Sequence, residues 1–313
     1  MMQNKEKNFV SVLIYVHNAE NRIKNFLSTI ISTMEENFEH SEIICINDFS
    51  SDNSVEIIRK VSASAKSTSI SIVNMSYFHG LELSMNAGMD LSIGDFVFEF
   101  DNTVLDFDSS VIMEVYYRSL SGFDIVSASA DRPERFTSKM FYKLFNKYKR
   151  TAYKMTTESF RILSRRIINR IESMNKTVPY RKAVYANCGL KTDNIIYKAK
   201  ESENLTFEKR EKKYRSSIAI DSLILFTNVG YSFSSTMTIF MMLASIATLI
   251  YTLVVYFSSN PVRGWTTTIF FISVAFFGLF GILTIVIKYL QLIIDLVFKR
   301  QHYSFESIEK LTK

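Results

Sequence analysis

The chain has 313 residues, 47% of them hydrophobic, and a formal net charge of +6. It is too long and too apolar for a disordered tail or a disulfide-stapled miniature; Cys45 and Cys188 sit in no metal-type spacing, and Cys45 lies inside an apolar run, which argues against a disulfide framework and fits a reduced compartment. Four scattered His build no zinc site, and the basic balance asks for an anionic partner, which a membrane surface supplies at least as well as nucleic acid does.

Phe9–Val16 (FVSVLIYV) is a compact β-branched run that reads as a buried strand, and it is too short for a signal peptide. Asn21–Asn37 follows with Ile23, Phe26, Leu27, Ile30, Ile31 and Met34 at helical spacing. Glu42–Ile46 is a second strand, stopped by Asn47-Asp48-Phe49-Ser50-Ser51-Asp52, and a helix over Asp52–Ser62 takes Asp52 or Ser51 as its cap. Ser69–Val73, Leu81–Ser92 and Asp95–Phe100 continue as strand, helix and strand, and Asp124–Ala128 is a fifth strand. Strands alternating with helices in this rhythm predict an α/β fold with a doubly wound, mostly parallel sheet, whose ligands bind at the carboxyl ends of the strands. Polar residues collect at those ends: Asn18 and Glu20 after the first strand, Asp48 and Asp52 after the second, Asp101 and Asp106 after the fourth. Each also fits a plain turn or cap role, but three acidic strand ends on one edge favour a shared site.

Beyond residue 130 the pattern changes to basic amphipathic helices, Phe136–Arg150 and Phe160–Ile171, which suit either a membrane interface or a core with a solvated basic face. Two uncharged apolar runs then follow, Thr236–Phe257 and Thr267–Ile287. At ~1.5 Å per helical residue each is long enough to cross a bilayer, so a transmembrane hairpin is expected. Basic residues flank it at Lys209–Arg215 and at Lys288, Lys299 and Arg300, whereas the connecting turn carries only Arg263. The charge bias predicts a plasma (inner) membrane protein with both termini and the main domain cytoplasmic. The expected division is a core over 1–130, an interface region with basic amphipathic helices over 131–221, the hairpin over 222–298 and a tail over 299–313.

Four segments together resemble the membrane-anchored family 2 glycosyltransferases of the polyprenyl-phosphate type. They are Val12–Glu20 (VLIYVHNAE), Ile46–Ser54 (INDFSSDNS), Gly80–Asp101 (GLELSMNAGMDLSIGDFVFEFD) and Ser159–Arg165 (SFRILSR). Gly264-Trp265 and Lys288-Tyr289-Leu290 with Arg300-Gln301-His302-Tyr303 are similar to the family's turn and ending. The resemblance implies a GT-A domain that binds a nucleotide sugar, with Asn18, Glu20, Asp48 and Asp52 on the donor. It also implies Asp101 as ligand of a divalent metal (Mg²⁺ or Mn²⁺), Asp101 and Asp106 as catalytic, and a polyprenyl phosphate acceptor held by Arg132, Arg135 and Arg161. A homo-oligomer is compatible with it, and no nucleic-acid partner is implied.

The family pattern is incomplete. The paired Asp of the nucleotide loop reads Asn47-Asp48 and its Gly reads Phe49; the Asp-x-Asp position reads Asp101-Asn102-Thr103; the Asp before Phe-Arg is Ser159. Asp101 can still serve a hard cation with help from Glu99 or Asp106. Glu99 is either a replacement ligand or an ordinary edge residue. Two functions stay open: a transferase moving sugar to a polyprenyl phosphate with inversion, and a non-catalytic member that acts as partner or regulator of another membrane protein.

Overall fold

In the computed structural model the described residues are 5–133, 136–148, 157–173, 180–200, 209–226 and 304–312, with scattered positions between 236 and 293. In chain order the elements are β1 Val10–Val16, α1 Glu20–Asn37, β2 Ser41–Asn47, α2 Ser54–Ser62, β3 Ser69–Met75, α3 Leu81–Leu91, β4 Phe96–Phe100 and α4 Ser109–Leu120. Then come β5 Ile125–Ala130, α5 Phe136–Tyr148, β6 Phe160–Ser164, α6 Arg165–Ser173, α7 Arg181–Asn187, β7 Thr192–Tyr197, α8 Lys209–Phe226 and β8 Phe305–Lys310. The strands form one sheet in the order β7-β5-β6-β4-β1-β2-β3-β8.

The central strands β4-β1-β2-β3 are parallel, as the alternating rhythm predicted. β6 runs antiparallel to both β4 and β5, and β8 antiparallel to β3, so the sheet is mixed. The order reverses at β1, which lies between β2 and β4; such a switch point opens a crevice at the carboxyl ends of the strands.

Both faces of the sheet are covered, so the inner strands read as continuous apolar runs instead of alternating ones. On one face Val12, Ile14, Phe98 and Phe100 pack with Phe26 and Ile30 of α1, Ile58 of α2 and Ile112 of α4. On the other, Leu13, Ile44, Ile46 and Val97 pack with Met85 and Ala87 of α3, Ile167 and Ile168 of α6 and Tyr185 of α7. The helical spacing of α1 held: all six of its predicted core residues are buried. Each such side chain contributes ~1.5–3 kcal/mol relative to exposure. Gly88 lets α3 approach closely, because a Cβ there would meet Ile46 Cδ1 at 2.7 Å.

The expected helix over Phe160–Ile171 is instead strand β6 followed directly by α6. Residues 160–164 are sandwiched between β4 and β5, and alternation sends Phe160 and Ile162 to one core and Leu163 to the other. Beyond residue 130, then, β6 and β7 belong to the main sheet, and the tail supplies its edge strand β8.

The chain divides into two compact units, one of 1–146, 151–218 and 301–313, the other of 147–150 and 219–300. No helix among the described residues is long and apolar enough to cross a membrane. Of the two apolar runs, 236–257 lies largely outside those residues, whereas about half of 267–287 lies among them. The described positions between 268 and 293 are helical, and Ile272, Phe276, Leu279, Leu283, Val286, Leu290 and Ile293 are all exposed. Gly278 is buried, and the space a Cβ would take there is held by the Met241 thioether, its Cε 2.0 Å away.

Candidate active site

The first two crossover loops are laced together. Asn18, at φ 46°, accepts from Ser51 N at 2.9 Å and donates its own N–H to Ser50 Oγ at 3.1 Å. Glu20 accepts from Asn53 N at 3.1 Å, while Asp52 accepts from Glu20 N at 2.9 Å and Ser54 N at 3.0 Å, so Asp52 caps α2 from one residue further back than usual. These three predicted donor-binding residues therefore come together, and each already shapes the loops that would receive a ligand.

Asp48 is fully buried. Its Oδ1 accepts from His79 N at 2.8 Å, and its Oδ2 from Gly80 N at 2.8 Å and Tyr15 OH at 2.9 Å. It braces the β3–α3 loop against β1. Gly80 has φ 82°, and a Cβ there would meet the Tyr214 ring at 2.2 Å, so this bend admits only glycine.

At the end of β4 lies a buried ion cluster. Register places Glu99 beside Arg161 of β6, and Arg161 Nη1 donates to Glu99 at 2.8 Å, Nη2 to Asp101 at 2.7 Å and Nε to Glu158 at 3.0 Å. Arg181, at the start of α7, donates to Glu82 at 3.0 Å, Glu99 at 2.5 Å and Asp101 at 2.7 Å. Tyr185 OH adds a bond to Glu99 at 3.0 Å, and Lys182 stands 3.7 Å from Glu158. Four carboxylates thus face three cations. An isolated buried charge is very costly, so the members hold each other in place. Burial pushes the Asp101 carboxyl up, but Arg161, Arg181 and Lys182 outweigh it and hold the group well below the usual carboxylate range. Glu99 is neither a free ligand nor an edge residue: it sits in a central strand, bonded on both oxygens.

Asp106 lies in a second nest. It is buried, accepts from Tyr197 OH at 2.7 Å and pairs with Arg132 Nη2 at 2.8 Å, while Arg132 remains half exposed. Tyr197 OH also reaches Ser159 Oγ at 2.5 Å, and burial pushes its phenol well above the usual range. Two predicted site residues, Asp106 and Arg132, therefore meet, whereas Arg161 lies buried within the ion cluster. Arg135 falls outside the described residues.

The divalent ion expected on Asp101 does not fit this donor set. Both Asp101 oxygens are engaged by guanidinium groups, Thr103 offers no carboxylate, and Asn102 Oδ1 accepts from Val104 N at 2.9 Å. Among the described residues no group of three His, Cys, Asp or Glu is placed to hold a metal. Arg161 and Arg181 already place two positive charges against the Asp101 carboxylate.

Sequence reading missed Arg181, Lys182, Tyr185 and Tyr197. One signal was present: a glutamate inside the apolar strand DFVFEF demands a buried cation.

The glycosyl transferase family 2 model matches residues 11–172, just over half of the chain. An uncharacterized glycosyltransferase of Synechocystis sp. is 25% identical over 60% of this chain and 60% of its own length. A prophage bactoprenol glucosyl transferase homolog of Escherichia coli is 30% identical over 60% and 62%, so these two matches span about three-fifths of each relative. The bactoprenol glucosyl transferase of Shigella phage SfV is 26% identical over 86% of this chain and 88% of its own. Among solved structures, mannosyl-3-phosphoglycerate synthase from Rubrobacter xylanophilus superposes with a TM-score of 0.52 at 17% identity, covering 69% of this chain and 72% of that one. Glucosyl-3-phosphoglycerate synthase from Mycobacterium tuberculosis, crystallised with Mn²⁺ and uridine-diphosphate-glucose, gives 0.50 at 12% identity over 69% and 79%.

Proposed function

Because this chain belongs to glycosyl transferase family 2, we propose that it moves a sugar from a nucleotide sugar to a polyprenyl phosphate at a membrane surface, with inversion at the anomeric carbon. The observation that carries the reading is Arg132, half exposed and anchored by the buried Asp106. A guanidinium held this way keeps N–H donors for a phosphate and loses little freedom on binding it. The relatives' names supply the acceptor class: bactoprenol glucosyl transferases, and an undecaprenyl-phosphate 4-deoxy-4-formamido-L-arabinose transferase of Aeromonas hydrophila.

The acceptor oxygen is already anionic and needs no general base. It attacks the anomeric carbon as the bond to the donor's diphosphate oxygen breaks, and that electron pair leaves with the nucleoside diphosphate. Asp106 positions Arg132, the Asn18, Glu20 and Asp52 loops seat the donor, and the ion cluster holds β4, β6, α3 and α7 rigid around the reacting groups. Mn²⁺ accompanies the nucleotide in the mycobacterial synthase; here the Asp101 oxygens are committed to arginines.

The membrane part of the reading rests on the two uncharged runs at 236–257 and 267–287. It is supported by the exposed face at 272–293, where every outward residue named above is apolar over about 30 Å. Flanking basic residues orient the hairpin with the main domain on the cytoplasmic side of the plasma membrane.

The second reading, a non-catalytic partner, draws on Asp48 and Asp101, whose oxygens are all engaged by the protein itself. The two readings separate in one assay: purified protein in detergent, undecaprenyl phosphate and a panel of radiolabelled nucleotide sugars. The transferase reading expects label in the organic phase from at least one donor. No transfer from any donor, with an active relative as control, selects the non-catalytic partner.

A further inference from the structure

Phe49 puts a bulky side chain, exposed and outside the core, at a bend that suits glycine. It has φ 55°, the left-handed region that a bulky L-residue adopts only at a cost, and its side chain is 53% exposed. The conformation is locked from both sides. Asp48 is buried before it, and after it Ser50 N donates to Asn47 Oδ1 at 3.1 Å while Ser50 Oγ accepts from Asn18 N at 3.1 Å. Glycine would sit there without strain, and a polar residue would suit the solvent better. Strained backbone and an exposed ring at one position, on the carboxyl end of β2, point to a ligand.

A second exposed ring stands on the neighbouring loop. β2 and β3 end in register, Asn47 opposite Asn74, and just beyond β3 the half-exposed Tyr77 stacks on His79 at 3.9 Å with an interplanar angle of 19°. Two half-exposed rings therefore sit on the loops that follow β2 and β3, whereas the charged groups gather at the end of β4. A nucleotide sugar has the same asymmetry: a planar π-system at one end, a diphosphate and hexose at the other.

Resting on the transferase reading, we propose that Phe49 is the stacking surface for the nucleobase of the donor, and that this contact is what the strained conformation serves. The diphosphate and hexose have no use for a benzyl ring; a base has a π-face that stacks on one.

The test is Phe49→Gly, with Phe49→Leu as a variant that keeps the strain and the apolar character but loses the ring. Titration calorimetry with uridine diphosphate, guanosine diphosphate and inorganic pyrophosphate is combined with thermal unfolding of the ligand-free protein. Both variants should bind the preferred nucleoside diphosphate about 5- to 100-fold more weakly. Pyrophosphate binding should not change, and ligand-free Phe49→Gly should unfold no earlier than wild type, because the strain is gone. Equal nucleotide affinity in wild type and Phe49→Gly, or a weakening matched for pyrophosphate, overturns the stacking role and leaves the transferase reading standing. A lower unfolding temperature for Phe49→Gly makes the ring structural and also overturns it. Wild type that binds neither nucleoside diphosphate overturns the stacking role and the transferase reading together.

Discussion

Replacing Arg181 with methionine removes a buried cation and keeps most of the stem. Arg181 meets Glu82 at 3.0 Å, Glu99 at 2.5 Å and Asp101 at 2.7 Å, and its side chain is 2% exposed. Leaving such partners uncompensated costs about 3–5 kcal/mol. For a unit of this size each kcal/mol moves the unfolding midpoint by ~2–4 °C, so a drop of roughly 6–20 °C is expected at neutral pH. The pH dependence gives the stricter check. In wild type the arginines hold Asp101 below its ordinary value, so its contribution is present above the unfolded carboxylate range and is lost as pH falls through the lowered folded value. In Arg181→Met, Asp101 keeps Arg161 and Lys182 but loses one guanidinium, so burial weighs more heavily and its carboxyl rises back towards the ordinary range. The loss is full above that raised value and is relieved as pH falls through it and the carboxyl takes up a proton. The stability gap between the two proteins should therefore narrow as pH falls through the carboxylate range. Thermal unfolding followed by circular dichroism in detergent measures it. A variant within ~1 kcal/mol of wild type at neutral pH, or a gap that does not change with pH, would refute the coupled buried cluster.

Three further outcomes follow from the same geometry. Asp48→Ala should cost about 2–4 kcal/mol and speed amide exchange at His79 and Gly80, since their N–H groups lose a shared acceptor; unchanged exchange there would remove Asp48 as the brace. Mn²⁺ added without nucleotide should move the unfolding midpoint by less than ~1 °C, because binding it requires Asp101 to leave two arginines; a dose-dependent rise would show that the arginines yield. Removing residues 304–312 uncovers the β3 edge that β8 pairs with. Size-exclusion chromatography with light scattering should then show association through the open edge.

The central fold was legible because its strands are buried on both faces. FVSVLIYV and EIICI leave no other reading, and the turn residues between them fall where helices begin. The stretch FRILSRRIINRI misled because its apolar residues satisfy helical spacing along the whole length, and no Gly or Pro marks the change from β6 to α6. Only pairing between β4 and β5 decides it. The site was half legible. Strand-end polar residues were found by position, and Asp106 and Arg132 do meet. Asp48 turned inward because two loop amides and a tyrosine lie within its reach, a circumstance set by tertiary contacts alone. Arg161 read as an interfacial cation yet is buried, since the sequence places Glu99 opposite it only once the register is known.

Arg132 is the residue proposed to receive the acceptor phosphate. The direct measurement is the initial rate of label transfer as undecaprenyl phosphate is varied at saturating donor, for wild type and Arg132→Ala. Loss of a charge-assisted contact worth ~1.5–3 kcal/mol predicts a KM for the lipid that rises roughly 10- to 100-fold, with the donor KM unchanged. An unchanged lipid KM, or an effect that falls on the donor instead, would contradict it.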